Sequence, residues 1–394
     1  MEDFGAESID SNYGAEDESD LNPLRRIDVS SVSVSGTDWT TETLLSQMDK
    51  GNIELNPRFQ RRDAWEQTRK SLFIESLILG LPVPQIVLAE RSDARGKYIV
   101  LDGKQRLLCL RQFTATDPKS EFRSFKLKGL EIRPDLEGRG FSDFQSDFEF
   151  QADLTAFENQ SIRTVVVRNW RSEALLFHVF LRLNRGSKPL SPQELRQALH
   201  PGPFLDFADE SSTASRAIRG ILRLSEPDFR MRDVELIIRF FSFKHRLSYY
   251  RGNLKDFLDQ SCKEFNENWA ALCDRFSSEM EDLESAHAFS KTIFGRDFNY
   301  SKWTGSGYER RFNRAVFDVV IAALTDPLLR SAIEADIEKA KVTYQALCEQ
   351  DPRFIESIER TTKSLESTRY RFNSFYGRLA EAYQIDVQPP AVGA

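Results

Sequence analysis

The stretch YIVLDGKQRLLCLRQF, residues 98–113, decides how the N-terminal half of this sequence folds. It opens on β-branched and aromatic side chains, which predict a short strand. Apolar residues from Leu107 to Phe113 then recur at helical spacing. Asp102 lies at the expected N-cap and Gln105 three residues later, the arrangement of a capping box. The stretch therefore predicts a strand, a tight turn and a helix.

The same turn carries polar side chains that could bind an anion. Gly103 allows a sharp change of direction, and Lys104, Gln105 and Arg106 follow it at the start of the helix. A helix N-terminus offers unpaired N–H groups and a partial positive charge, which attract phosphate. Two interpretations are open at this point: a structural cap with solvated charges, which a short box favours by itself, or a phosphate cradle.

A basic segment upstream, NPRFQRRDAW at residues 56–65, follows a predicted strand and precedes a predicted helix. Gln60 and Arg61 in this segment could face the same anion as the box. The structural alternative is a surface loop that Phe59 and Trp65 anchor to the core. The segment alone does not decide between the two.

A downstream segment, FLRLNRGSKPLSPQEL at residues 180–195, contains Arg182 and Asn184. A purely structural account is available here too, because Asn184 can end one helix. Ser191 then begins the next helix as its N-cap, and Glu194 closes a capping box with it. Arg182 and Asn184 become candidate ligands only if this segment approaches the turn at Asp102.

Periodicity divides the chain into three parts. Residues 1–26 are predicted to be an acidic disordered tail. Residues 27–200 alternate short strands and helices, including strands around a turn in SFKLKGLEI, and predict an α+β domain with a mixed sheet. Within it, residues 134–160 have weak periodicity and form a candidate inserted flap. Residues 201–394 show helical periodicity throughout and predict an all-helical second domain.

Composition limits the classes of function. The net charge of −7 comes from eight acidic residues in positions 1–24, so residues 25–394 carry a net charge of +1. Contacts with nucleic acid would therefore need local basic patches. The four cysteines are scattered without a CxxC pair, which argues against a zinc site. No apolar run is long enough to span a membrane and no signal peptide is evident, so the expected location is the cytoplasm.

The order of the motifs FQRRDAW, SLILGLPVPQIVL, YIVLDGKQRLLCLRQF and VFLRLNRGSKPLSPQEL resembles the N-terminal domain family of GmrSD-type restriction enzymes. The resemblance covers about residues 43–200, and the family is marked by a DGQQR box. It implies a ParB/sulfiredoxin-like fold. It also implies a domain that binds and hydrolyses a nucleoside triphosphate, ATP or GTP, in bacterial defence against foreign DNA.

The resemblance implies two groups of site residues. Those expected to act in catalysis are Asp102, Gln105 and Arg106, and Asp102 is also the candidate ligand of a Mg²⁺ ion. Those expected to bind the nucleotide are Gln60, Arg61, Gly103, Lys104, Arg182 and Asn184. Lys104 replaces the first glutamine of the box; it can bind phosphate as a point charge but has no amide acceptor.

The resemblance also suggests partners. Family members that cut DNA often carry an HNH nuclease domain, whereas no such motif is found in residues 201–394. A partner nuclease or helicase would then act on the DNA. The alternative function is a non-catalytic sensor or adaptor of nucleotide or nucleic acid that docks an effector through its helical domain. Arg310, Arg311 and Arg314, interleaved with aromatic residues, could give that domain a weak nucleic-acid-binding face, or simply a solvated helix face.

Overall fold

The computed structural model describes residues 31–53, 55, 63–117, 119–120, 122–183 and 191–393. The predicted acidic tail, residues 1–26, lies outside the described residues. Contacts divide the described chain into two units. The N-terminal unit comprises the described part of Asn22–Leu199 with Asp228–Met231, and the helical unit comprises the described part of His200–Pro227 and Arg232–Ala394. The division falls one residue before the predicted boundary, and no sequence pattern indicated that residues 228–231 join the N-terminal unit.

A four-stranded mixed sheet organises the N-terminal unit. Its strands are β1 (Ser33–Thr40), β2 (Ile86–Glu90), β3 (Tyr98–Asp102) and β4 (Ser161–Arg168). The order is β1-β4-β2-β3, in which only β4 and β2 are parallel. The predicted α+β class is confirmed. Strand β1 was not predicted because most of its side chains are exposed at the sheet edge and give no apolar alternation.

Seven helices of the described chain belong to the N-terminal unit. They are α1 (Thr41–Asp49), α2 (Gln67–Ile78), α3 (Lys104–Phe113), α4 (Phe141–Ser146), α5 (Gln151–Asn159), α6 (Glu173–Leu183) and α7 (Pro192–Leu199). The core lies between the sheet and helices α1 to α5, with Ile74, Leu107 and Val166 all fully buried. Helix α3 thus presents its apolar face to the core, which fixes its polar N-terminus at the end of β3.

The candidate flap at residues 134–160 is part of this core. It consists of short 3₁₀ turns and helices α4 and α5. Phe141, Phe144 and Phe157 are buried around Phe113 of α3, with ring centroids 5.6 to 5.9 Å from that of Phe113. The flap interpretation is therefore wrong: the weak periodicity reflects short helices whose few aromatic residues supply the packing.

The predicted strands in SFKLKGLEI are also wrong, because no strand occurs among the described residues from 122 to 140. The backbone N–H groups there find partners on α2 instead. The buried Glu75 carboxylate accepts hydrogen bonds from the backbone N–H groups of residues 131, 132 and 133, at 3.3, 2.8 and 2.7 Å. Ser71 Oγ accepts another from Lys128, at 2.9 Å. Side-chain acceptors thus replace a β-ladder.

The described part of the helical unit contains helices but no strand, which confirms the all-helical prediction. The helices are α8 (Pro203–Ala214), α9 (Arg216–Leu222), α10 (Arg232–Arg246), α11 (Leu254–Glu267), α12 (Trp269–Phe294), α13 (Arg314–Leu324), α14 (Pro327–Ala335), α15 (Ile337–Gln350), α16 (Pro352–Glu359) and α17 (Leu365–Tyr383). Across the described residues, no helix combines the length and apolar character needed to cross a bilayer.

Candidate functional site at the start of helix α3

The turn between β3 and α3 differs by one residue from its prediction. Gly103, with φ of +97°, is the N-cap in the left-handed region, and α3 begins at Lys104. Asp102 Oδ1 accepts a hydrogen bond from the Gly103 N–H at 2.7 Å, and Gln105 Oε1 accepts one from the Ala64 N–H at 3.3 Å. The predicted Asp102–Gln105 capping box is therefore wrong, because both side chains bond elsewhere. No side chain caps the first turn of α3 within the described chain.

The Arg106 guanidinium is fixed directly over this turn. Its Nη2 donates to the Gln85 carbonyl at 2.8 Å and to Asp102 Oδ2 at 3.2 Å. Its Nε is buried and has no hydrogen-bond partner among the described residues. A Cβ on Gly103 would lie 3.0 Å from Ile86 Cγ1, a tight contact, and 3.4 Å from Arg106 Nε and Nη2, and the positive φ would strain any other residue, so the turn requires glycine. The arrangement holds one unsatisfied cationic donor beside an uncapped helix N-terminus.

Lys104 forms an ion pair with a residue outside this turn. Its ammonium donates to Glu194 Oε1 at 2.7 Å, and both side chains are less than a tenth exposed. Glu194 Oε2 accepts from the Ser191 N–H at 2.7 Å, while Ser191 Oγ accepts from the Glu194 N–H at 3.1 Å. The predicted Ser191–Glu194 capping box is thus confirmed. The sequence did not indicate that the same carboxylate also neutralises Lys104.

Sequence reasoning missed a polar network next to Gln105. Asp63 Oδ2 accepts hydrogen bonds from the Lys70 ammonium and from Gln112 Nε2, the latter at 3.1 Å, and Oδ1 accepts from the Trp65 N–H at 3.1 Å. The network joins residues 63–65 to helices α2 and α3. Asp63 directly follows the QRR of the upstream motif, which was the available signal.

Three predicted ligands, Gln60, Arg61 and Asn184, lie outside the described residues. Arg182 is exposed in the last turn of α6. The described C-terminal ends of the two motifs nevertheless bond to the box. Ala64 bonds to Gln105, and Glu194 bonds to Lys104.

Arg310, Arg311 and Arg314 do not share a helix face. Helix α13 begins only at Arg314, and Arg310 and Arg311 are exposed in the loop before it. Arg314 is 6 % exposed, and its Nε lies 3.3 Å from Glu235 Oε1. The prediction of one basic, aromatic face is therefore wrong, since the Asn313 cap delays the helix and Arg314 is buried in an ion pair.

Comparison with known proteins agrees with the resemblance in the sequence. Residues 41–201 match the family described as the GmrSD restriction endonuclease, N-terminal domain. No curated protein and no solved structure matches the chain. The ParB/sulfiredoxin-like fold consequently stays a prediction. The matched range runs from α1 through α7 and includes the whole site at the start of α3. Residues 41–201 of this chain therefore belong to the GmrSD N-terminal domain family.

Proposed function

We propose that the N-terminal unit binds a nucleoside triphosphate, ATP or GTP, at the start of α3 and hydrolyses it, in a cytoplasmic defence system of the restriction type. The family of residues 41–201 supports the restriction-type role. The unpartnered Nε of Arg106 is the observation that carries the nucleotide proposal. A buried cationic donor without an acceptor is costly, and a phosphate oxygen would satisfy it.

The backbone supplies the remaining attraction. The N–H groups of residues 104–106 lie in the first helical turn, where no intrahelical carbonyl is available to them. Together with the helix dipole they favour a bound anion. Gly103 leaves the turn without a Cβ, so a phosphate can approach the backbone closely. Gln60, Arg61, Arg182 and Asn184 remain proposed ligands on the basis of the family motif.

Asp102 and Gln105 are the proposed polar groups of the hydrolytic step. Gln105 is held by Ala64 through its carbonyl oxygen, which leaves its amide nitrogen to orient a water molecule. Asp102 is 34 % exposed, and each of its carboxylate oxygens accepts one protein hydrogen bond, so oxygen lone pairs of the kind that Mg²⁺ prefers are available. A Mg²⁺ ion bound there would neutralise phosphate charge.

The second candidate function is a nucleotide sensor that binds without turnover and docks a partner nuclease or helicase on DNA. One observation favours it. Lys104, which replaces the first glutamine of the box, is neutralised by Glu194. Among the described cations at this helix start, Arg106 is the one that keeps an unsatisfied donor. With fewer cations available to compensate the negative charge of the phosphates, the site is better suited to binding a nucleotide than to stabilising the transition state of its hydrolysis.

Arg106→Ala tests the proposal, and Arg111→Ala is its matched control. Arg111 lies on the same helix and pairs with the exposed Asp49, away from the turn. Loss of charge-assisted hydrogen bonds predicts about 10- to 100-fold weaker ATP or GTP binding for Arg106→Ala and no change for Arg111→Ala. Isothermal titration calorimetry measures the affinity, and circular dichroism checks that each variant is folded.

Phosphate release with each nucleotide, with and without Mg²⁺ and DNA, separates the two functions. Release that Arg106→Ala abolishes supports the hydrolase, whereas binding without release supports the sensor. If a folded Arg106→Ala protein binds nucleotide as tightly as the original chain, the assignment of the nucleotide site to the start of α3 is refuted. Arg106→Lys, which keeps the charge but not the planar fork, should give an intermediate affinity.

A further inference from the structure

The helical unit contains a cavity of about 230 Å³ that the proposed function does not use. Its aromatic walls come from Phe240 and Phe243 of α10, Phe317 of α13 and Tyr376 of α17. Sites for drug-sized ligands are usually larger, about 300 Å³ or more. The cavity therefore suits one small ring system stacked between aromatic side chains.

Tyr376 brings an unsatisfied donor to this cavity. The side chain is 1 % exposed, yet its hydroxyl makes no hydrogen bond within the described part of the chain. Buried tyrosine hydroxyls normally have a partner. Burial, followed by the charge of Asp326, raises the pKa of Tyr376, so the phenol stays protonated and acts as a donor at neutral pH. A ligand in the cavity could therefore accept a hydrogen bond from this hydroxyl.

Asp326 supplies the complementary acceptor. Its Oδ1 caps α14 by accepting from the N–H groups of Leu328 and Leu329, at 2.9 and 3.1 Å. Its Oδ2 accepts no hydrogen bond from the residues that the structure describes. The other carboxylate on the wall, Asp318, is already held by two 2.6 Å bonds from Arg239. Asp326 is therefore the carboxylate with capacity for a ligand.

The charges around the cavity disfavour an anion. The ammonium of Lys244 lies 5.5 Å from the centre of the Phe240 ring, but it is already paired with Asp282 Oδ2 at 3.3 Å and with Glu279 Oε1 at 3.6 Å. The incompletely bonded carboxylate of Asp326 would repel an anion. A neutral ring that donates one hydrogen bond to this carboxylate and accepts one from Tyr376 avoids that repulsion.

We propose that this cavity binds a neutral, planar lactam-type heteroaromatic ring. The ring N–H would donate to Asp326 Oδ2, the neighbouring carbonyl would accept from the Tyr376 hydroxyl, and the ring faces would contact the phenylalanines. This is the donor–acceptor edge of pyridones and pyrimidinones. The site is independent of the nucleotide proposed for the N-terminal unit.

The test uses two probes that differ by one methyl group. 2-Pyridone offers the N–H and the carbonyl, whereas 1-methyl-2-pyridone has no N–H to donate. Ligand-observed NMR titration of the full chain should show saturable binding of 2-pyridone and at least tenfold weaker binding of the methylated ring, because the carboxylate is then left unpaired.

Two variants remove one polar group each and keep the shape of the wall. Tyr376→Phe should weaken 2-pyridone binding about 3- to 10-fold. Asp326→Asn keeps a good helix cap but turns a donor toward the ligand N–H, so a loss of about tenfold or more is expected. Tyr370→Phe is the matched control, since Tyr370 lies on the same helix and donates to Asp351.

The proposal is overturned if 2-pyridone shows no saturable binding, or if the two probes bind equally. It is also overturned if folded Tyr376→Phe and Asp326→Asn proteins retain full affinity. A loss in Tyr370→Phe equal to that in Tyr376→Phe would place the ring elsewhere on α17 and would refute the assignment as well.

Discussion

The ion pair between Lys104 and Glu194 gives the sharpest test of how the two helix starts depend on each other. Lys104→Met removes the ammonium while keeping most of the side-chain volume, and it leaves the Glu194 carboxylate buried without its cation. Both side chains are nearly inaccessible, at 7 and 6 % exposure. Solvent therefore cannot compensate for the missing charge.

The expected loss follows from that burial. Breaking a buried pair by removing one partner costs about 3–5 kcal/mol, because an uncompensated charge remains. The double variant Lys104→Met/Glu194→Gln removes both charges and should recover most of this loss. Ser191→Ala removes only the hydroxyl of the α7 cap, and the expected cost is about 1 kcal/mol.

Hydrogen exchange read by mass spectrometry over a urea series measures these changes on peptides from α3 and α7. A site-resolved readout is needed because the chain has two units. We expect a coupling free energy of at least about 2 kcal/mol between the two substitutions. Additive effects, or a Lys104→Met loss no larger than that of Ser191→Ala, would refute the view that Glu194 is required to neutralise Lys104.

Two further predictions concern the core and the pH dependence of stability. Phe113→Ala should lower the free energy of unfolding, measured by urea denaturation, by about 3–5 kcal/mol. Phe148→Ser, at a side chain that is 91 % exposed, should change it by less than about 0.5 kcal/mol. Equal effects would contradict the assignment of residues 134–160 to the core. Burial, followed by the charge of Lys291, lowers the pKa of His287 to about 4. The unfolded chain takes up this proton near pH 6.5, so the free energy of unfolding should decrease as the pH falls from about 6.5 to 4. Over this range, the slope of that free energy against pH should exceed the slope for His287→Gln by up to the equivalent of one bound proton. Parallel pH profiles of the two proteins would show that His287 does not contribute.

Much of the architecture follows from local sequence. Strands β2, β3 and β4 are short runs rich in β-branched residues, the pattern from which a sequence predicts a strand. The helices of residues 201–394 were predicted from their apolar periodicity, which did not indicate that Asn268 separates α11 from α12. These features depend on neighbours within a few positions, which is the range over which a sequence pattern is informative.

Local sequence was sufficient to predict the strand–turn–helix at Asp102, the Ser191 capping box and the helical C-terminal half, because backbone preference and side-chain periodicity act over a few residues. What each charged side chain contacts, in contrast, depends on tertiary packing. Lys104 meets Glu194 from 90 positions away, Gln105 meets Ala64, and Arg314 is buried against Glu235. The physical reason is that the state of a charged side chain depends on burial and on a partner that only long-range packing brings near. The same packing leaves Arg106 with one donor unsatisfied, and that remaining donor is the feature on which the proposed function depends.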